Sequence, residues 1–336
     1  MSEKQAVYSI SICGRAILDM HSLNNEGGEG NQIATRMVNL VYKDKASGEY
    51  KLATVNAISG DMFKHIQAEH LYLIAKGNLP KLPLCAGCQK FSASRILDDK
   101  KFMDELPAKD SDVIDKLLKH CVLDDMEGNL IAKGARSVPR KSVAEFGWVV
   151  GVPEYTTTES YFHVRYAAER GERSEEAQQQ AIFHRPASSG VYAIVANFEI
   201  SRIGFNDISQ QYPISDEERE KRYQALMRSI LYTFIEPNGA MRGTQNPHIA
   251  GFEGVVTVTR EVMPAPALSP LNEGYRMEIE RVAAALNELN GGAVVVHQFD
   301  SMSQFADVMK DLLVNSKPYK LAWREHPCGS SLNTSR

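Results

Sequence analysis

Cysteine is scarce in this chain: five among 336 residues, at 13, 85, 88, 121 and 328, too scattered for a disulfide framework and consistent with a reducing compartment. No stretch reaches the ~18 consecutive apolar residues of a membrane span. The opening SEKQAVYSISICGRAIL breaks its apolar positions with Ser9 and Ser11, so it lacks a secretory h-region, and a cytoplasmic protein with no membrane partner is expected. A basic excess is also missing. The 38 Lys and Arg against 42 Asp and Glu leave a formal charge of −4, so any nucleic-acid surface has to be local. There is no Walker loop, dinucleotide fingerprint, nucleophile elbow, H-E-x-x-H or kinase motif. What remains, 43% hydrophobic and 24% charged residues, is the composition of an ordinary globular chain with room for a sizeable core.

Alternation over residues 7–18 (VYSISICGRAIL) predicts a first strand, with Val7, Ser9, Ser11 and Cys13 on one face and Tyr8, Ile10 and Ile12 on the other. DMHSLNNEGGEGNQ, residues 19–32, has no apolar period and reads as an exposed loop with several glycines at positive φ. A strand pair follows over 33–43 and 50–55. Ser59 is placed to cap a helix that carries Met62, Phe63, Ile66, Leu73 and Ile74 on one face and ends at Gly77. Residues 78–142, with Pro80, Pro83, a CAGC tetrapeptide and a short helix over 111–121, read as an insertion. Strand character resumes at 143–153, and two alternating stretches flank the polar AERGERSEEAQQQ, which predicts a long hairpin arm with a mobile tip. Ser215 with Glu218 predicts a capped helix ending at PNG, FEGVVTVTR a strand, Ser269-Pro270 a helix start, GGAVVVHQF a strand, and Ser301 with Gln304 a last helix before a frayed tail.

Three Gly-rich loops, NNEGGEGNQ, ISGDMFKH and PNGAMRGTQN, adjoin strands or helices, where glycine lets backbone amides approach an anion. In the second, the helix-opening amides sit beside Lys64 and His65, although an ordinary capped helix with a solvated lysine has the same pattern. KGARSVPRK (133–141) gathers four basic residues without an acid, which suits phosphate contact through Arg136 and Arg140 or, equally, a solvated turn. Cys85 and Cys88 make half of a zinc knuckle. No second C-x-x-C or H-x-x-x-H completes it, and only His120 and Cys121 offer further ligands, so a metal is not expected. His163 and His184 lie on the arm, in positions that suit RNA contact or plain solvation, and Asp124 and Asp125 read as turn residues.

GRAILDMHSLN before a Gly-rich loop, NAISGDMFKH opening a helix, GARSVPRKS, an arm ending in AIFHRPASSGVYA, and GAMRGTQNPH ahead of FEGVVTVTR follow one another between about residues 8 and 290. In this order they resemble the backbone, CRISPR RNA-binding subunit of type I CRISPR Cascade complexes, in the DevR-type branch of the RAMP superfamily. The resemblance implies an α+β fold: a modified RRM (ferredoxin-like) palm with a helical web insertion and a β-hairpin thumb. Its segments here are 1–77 (palm), 78–142 (web), 143–153 (palm strand), 154–187 (thumb), 188–313 (palm) and 314–336 (tail). It also implies a subunit that polymerises along a CRISPR RNA with other copies of itself and other Cascade subunits, leaving sequence reading of a target DNA strand to base pairing, as in other RNA-guided effectors.

Position by position, the resemblance implies RNA contacts at His21 and Asn24 after the first strand, at Ser59, Lys64 and His65 at the helix opening, at Arg136 and Arg140 in the basic stretch, at Arg165 and Phe183 on the thumb, and at Arg242 in the last Gly-rich loop. Related type III backbone subunits cleave RNA with an aspartate in the loop after the first strand. Gly30 or Asn31 stands near that place here, so no catalytic residue, no cofactor and no nuclease activity are expected. Asp19, Glu26 and Glu29 are nearby carboxylates but lack the pattern. The alternatives are a type III-like subunit that cleaves RNA with a divalent metal and a loop carboxylate, and a zinc-containing regulatory RNA binder acting alone.

Overall fold

A computed structural model describes residues 4–77, 80–164 and 182–322. Its centre is the strand that the alternating N-terminal stretch foretells. Strands β1 (Gln5–Val7) and β2 (Ser9–His21) are followed by β3 (Asn25–Glu29), β4 (Gln32–Thr35), β5 (Met37–Lys43) and β6 (Tyr50–Ile58), then helix α1 (Gly60–Lys76). The insertion supplies α2 (Lys100–Asp104), α3 (Asp110–His120), α4 (Val122–Glu127) and the hairpin β7 (Asn129–Lys133) with β8 (Arg136–Arg140). Then come β9 (Ala144–Phe146), β10 (Val149–Val164), β11 (Ile182–Phe198), α5 (Asp216–Ile235), β12 (His248–Thr259), α6 (Tyr275–Asn290), β13 (Val294–Phe299), α7 (Met302–Asn315) and β14 (Ser316–Pro318).

The main sheet runs β13-β12-β2-β11-β10-β6-β5, antiparallel at every step. Successive strand side chains point to opposite faces, and each face of β2 has its own cover. Ile10, Ile12, Ala16 and Leu18 join Tyr192, Ile194 and Phe198 of β11 and Phe252, Val256 and Val258 of β12 in one large core under α1, α5 and α7. Each fully buried side chain of this size contributes about 1.5–3 kcal/mol. On the other face Cys13 and Val255 pack against Tyr275 and Ile279 of α6. The two serines that interrupt the strand are buried here and satisfied: Ser9 Oγ lies 2.7 Å from Thr259 Oγ1, and Ser11 Oγ donates to the Pro266 carbonyl at 2.6 Å.

Ser59, Ser215 and Ser301 cap α1, α5 and α7, each accepting the amide three residues on. Two expectations need correction. Residues 19–32 are not an exposed loop: β2 continues to His21, residues 21–24 are buried, and β3 pairs with β4, with Gly27 and Gly30 at positive φ. β4 in turn pairs with β11, so cross-sheet contact rather than apolar alternation makes this hairpin. Helix α6 begins at Tyr275, because Ser269-Pro270 is spent on a turn in which Asn272 N donates to the Ser269 carbonyl. Separately, Ser316–Pro318 forms a parallel ladder with Gln5–Val7, while the stretch read as a frayed tail, 324–336, lies outside the described residues.

The insertion shares the large core through Ile96, Phe102, Val113, Leu117, Val122 and Met126. Asp125, read above as a turn residue, is instead a buried acceptor: Oδ1 takes Arg140 Nη2 at 2.6 Å, Oδ2 takes Arg222 Nη1 at 2.8 Å, and the Gly204 amide donates to both oxygens. Beyond the sheet, β10 and β11 run on as a two-stranded arm from Thr156–Gly190 to Val164–Ile182. At its root Gly190 has φ +148, and a Cβ there would meet Tyr155 O at 2.1 Å. Among the described residues no helix is long and apolar enough to cross a membrane.

Candidate nucleic-acid interface

Four segments meet where β2 leaves the sheet. After His21 the chain turns inward, burying Leu23, and Asn24 Oδ1 accepts the Ser59 amide at 2.7 Å. Ser59 Oγ accepts Met62 N at 3.1 Å, so the β2 exit and the α1 N-terminus are fastened to one another. The loop after α5 sits on this turn: Ala240 N donates to the Leu23 carbonyl at 3.0 Å, and a Cβ at Gly239 would meet that same oxygen at 2.7 Å. The loop is also tied to the arm, since Gln245 Nε2 donates to the Pro186 carbonyl (2.8 Å) and Arg185 Nη1 to Thr244 Oγ1 (2.9 Å). From the other side His184 N donates to the Asn31 carbonyl at 2.8 Å beside the β4 pairing.

The arm carries an aromatic stack. Phe183 and His163 are cross-strand partners with rings 5.4 Å apart and nearly parallel at 8°, and the Arg185 guanidinium lies 4.6 Å from the Phe183 centroid. On the opposite face Phe162, well exposed, meets His184 edge-on at 5.6 Å. Such planar, cationic surfaces stack bases without regard to sequence. Arg242, about one-third exposed, is held over the loop by Glu236, Asn238 and Asn246.

The structure brings His21, Asn24, Ser59, Phe183 and Arg242 to this junction, but in two roles. His21 and Asn24 are buried, so the expectation that they touch a ligand from the surface needs correction: they shape the turn. His21 packs edge-on against Tyr192 at 4.9 Å, and burial pushes its pKa down to about 4. With its Nδ1 facing the Leu23 amide, the Nε2 proton has no partner among the described residues. Lys64 and His65 lie one turn into α1, along a groove lined by Asp61, Phe91, Ser92 and Arg95. Lys64 is half-buried, which lowers its pKa, while exposed His65 meets Phe91 at 5.4 Å.

Arg136 and Arg140 belong to other surroundings. Arg136 binds Asp110 and the Pro107 carbonyl at the start of α3. Arg140 is a plain correction: its side chain has no exposure and is spent on Asp125 and the Arg202 and Phe205 carbonyls, so it meets no phosphate. Arg165 lies outside the described residues. Arg185, Thr244 and Gln245 escaped the sequence reading. The first was within reach, two residues from Phe183 on one strand face; the others were not, since only the fold brings their loop to the arm. In the insertion, Cys85, Cys88, Cys121 and Asp124 converge, while His120, the expected companion, turns away to Asp99 (2.9 Å) and stacks on Phe102.

Comparison with known proteins adds a lineage to this geometry. The chain is 28% identical over 238 residues to CRISPR-associated protein Cas7/Csa2 1 of Saccharolobus solfataricus, covering 68% of this chain and 71% of that one. It is 23% identical over 274 residues to CRISPR-associated protein Cas7/Cst2/DevR of Methanocaldococcus jannaschii, covering 76% and 82%. Chains from two solved structures titled CRISPR RNA-guided surveillance complex, one of them pre-nicking, cover 94% and 90% of this chain and 95% and 99% of their own, with TM-scores of 0.48 and 0.49 at 14% and 13% identity. The family described as CRISPR-associated negative auto-regulator DevR/Csa2 matches over residues 12–280, and the chain belongs to that family.

Proposed function

We propose that this chain is a non-catalytic backbone subunit of a type I Cascade effector, whose copies line up along a CRISPR RNA and present it for pairing with target DNA. The observation that carries the reading is the junction where the β2 exit, the α1 N-terminus, the Arg242 loop and the arm that bears the His163–Phe183 stack are fastened together. Helix-end amides, lysine, arginine and a stacking platform hold an RNA by its backbone and base faces, which leaves base edges free. Membership of the DevR/Csa2 family supports the same role.

The order β12-β2-β11-β10 with α1 and α5 on one face is the β-α-β-β-α-β arrangement, which supports a ferredoxin-like palm with residues 78–142 as web and 154–187 as thumb. An ordinary RRM stacks bases on its open sheet face. Here Pro266, Tyr275 and Ile279 cover that face, so RNA is assigned to the end of the sheet. The test is co-expression with a CRISPR RNA, sizing by mass photometry and nuclease footprinting. RNA-dependent oligomers that protect the guide in multiples of one fixed interval are the expected result, and a monomer that protects no RNA overturns the reading. Cleavage of complementary target RNA at regular intervals on adding Mg2+ or Mn2+ would instead establish the type III-like alternative.

A further inference from the structure

We propose that Cys85, Cys88, Cys121 and Asp124 form a closed, tetrahedral site for a structural zinc ion. Their donor atoms all lie within 4.8 Å of one another, and all four residues are buried. Both cysteine sulfurs of the CAGC turn stand 3.4 Å from Asp124 Oδ2. In a tetrahedron with Zn–S of about 2.3 Å and Zn–O of about 2.0 Å, the sulfur-to-oxygen edge is about 3.5 Å. Both sulfur-to-oxygen edges at Asp124 therefore match one ion, and Cys121 completes the set within 4.8 Å of the other donors.

The spacing in the chain tells the same story. Cys85 and Cys88 are three apart, and so are Cys121 and Asp124. The pattern is C-x-x-C with C-x-x-D, a zinc-ribbon ligand set in which the last cysteine is replaced by a carboxylate. A search for a second C-x-x-C passes over it.

The shell around the donors is built to hold them. Cys88 N donates to Cys85 Sγ at 3.3 Å, a bond that stabilises a thiolate. Gly87 cannot be replaced without collision, since a Cβ there would lie 1.9 Å from Arg95 O, and Ala86 N is held by Asp99 Oδ2 at 2.9 Å. Cys121 stands at the break between α3 and α4, and Val122 N donates to the Pro83 carbonyl, which brings α4 against the turn. Asp124 Oδ1 takes Asn129 Nδ2 at 2.6 Å and Ile96 N at 3.4 Å, which aims Oδ2 at the sulfurs. Three sulfurs exclude Mg2+ and Ca2+, which take oxygen, and four donors with no exposure leave no position for a reacting water. Such a site is structural, pinning two stretches of the insertion, 85–88 and 121–124, together.

The experiment uses the full chain purified under reducing conditions with added zinc, then desalted and assayed for metal by mass spectrometry. About one zinc per chain is expected, and replacement by Co2+ should give intense sulfur-to-cobalt charge-transfer absorption with tetrahedral ligand-field bands. Asn129→Ala keeps all four ligands and is expected to lose zinc to a competing chelator at about 10- to 100-fold lower chelator concentration. Cys121→Ser should lower the charge-transfer intensity per cobalt. If that variant does not fold, the metal content and cobalt spectrum of the unaltered chain decide alone. Folded chain with less than about one-tenth of a zinc per molecule, a cobalt spectrum without sulfur charge transfer, or a Cys85–Cys88 disulfide in the isolated protein would overturn the proposal.

Discussion

Asp125 and Lys64 represent opposite uses of charge. Asp125, Arg140 and Arg222 have no exposed side-chain surface, so removing one of them leaves a buried charge without its counterion. Arg140→Ala is expected to cost about 3–5 kcal/mol in denaturant unfolding while leaving the salt dependence of RNA binding unchanged. Lys64→Ala should do the reverse: unfolding unaltered, and the slope of log affinity against log salt reduced by about 0.7, one single-strand phosphate contact. His21 adds a pH dependence. Its folded pKa is near 4 against an ordinary 6.5, so below 6.5 the unfolded chain takes up a proton that the folded chain refuses. Stability from this residue is complete above pH 6.5 and is lost as pH falls towards 4, by about 3 kcal/mol at most. Thermal melts of His21→Gln, compared with the unaltered chain across that window, should show a flatter decline.

Elements with a strong period were legible: β2, α1, α5, β12 and α7 stand where alternation, helical spacing and serine caps put them. Elements held by distant partners were not. β3 and β4 are Asn- and Gly-rich strands that exist through pairing with one another and with the arm. The burial of Arg140 and the fourth donor beside Cys121 were equally hidden, because a basic run and a lone C-x-x-C look alike whether or not a carboxylate waits across the fold. Of the candidate site, the sequence singles out the loops that meet at the β2 exit, but not which of their side chains are buried and which exposed. The arm yields its own prediction. Gly190→Ala forces a Cβ into Tyr155 O, so it should misdirect the arm and abolish regular RNA protection while leaving the unfolding midpoint of the sheet core nearly unchanged. Phe183→Ala keeps the arm's direction and should weaken RNA binding by about 1–3 kcal/mol, measured by fluorescence anisotropy.

For the molecule as a whole, the order in which strands meet is also an order in time. The central strand β2 lies between β11 and β12, and neither neighbour has been made when β2 leaves the ribosome. At about 5–20 residues per second, residues 9–21 wait roughly ten to fifty seconds for residue 259, and the edge of β2 that β12 will pair has no partner strand until then. Through that interval the strand at the heart of the finished sheet is an open edge, a template for any other extended chain nearby. Slower initiation, which spaces nascent chains apart, should therefore raise the yield of soluble protein measured after lysis, and nascent chains stalled between β2 and β11 should be the species that chaperones hold.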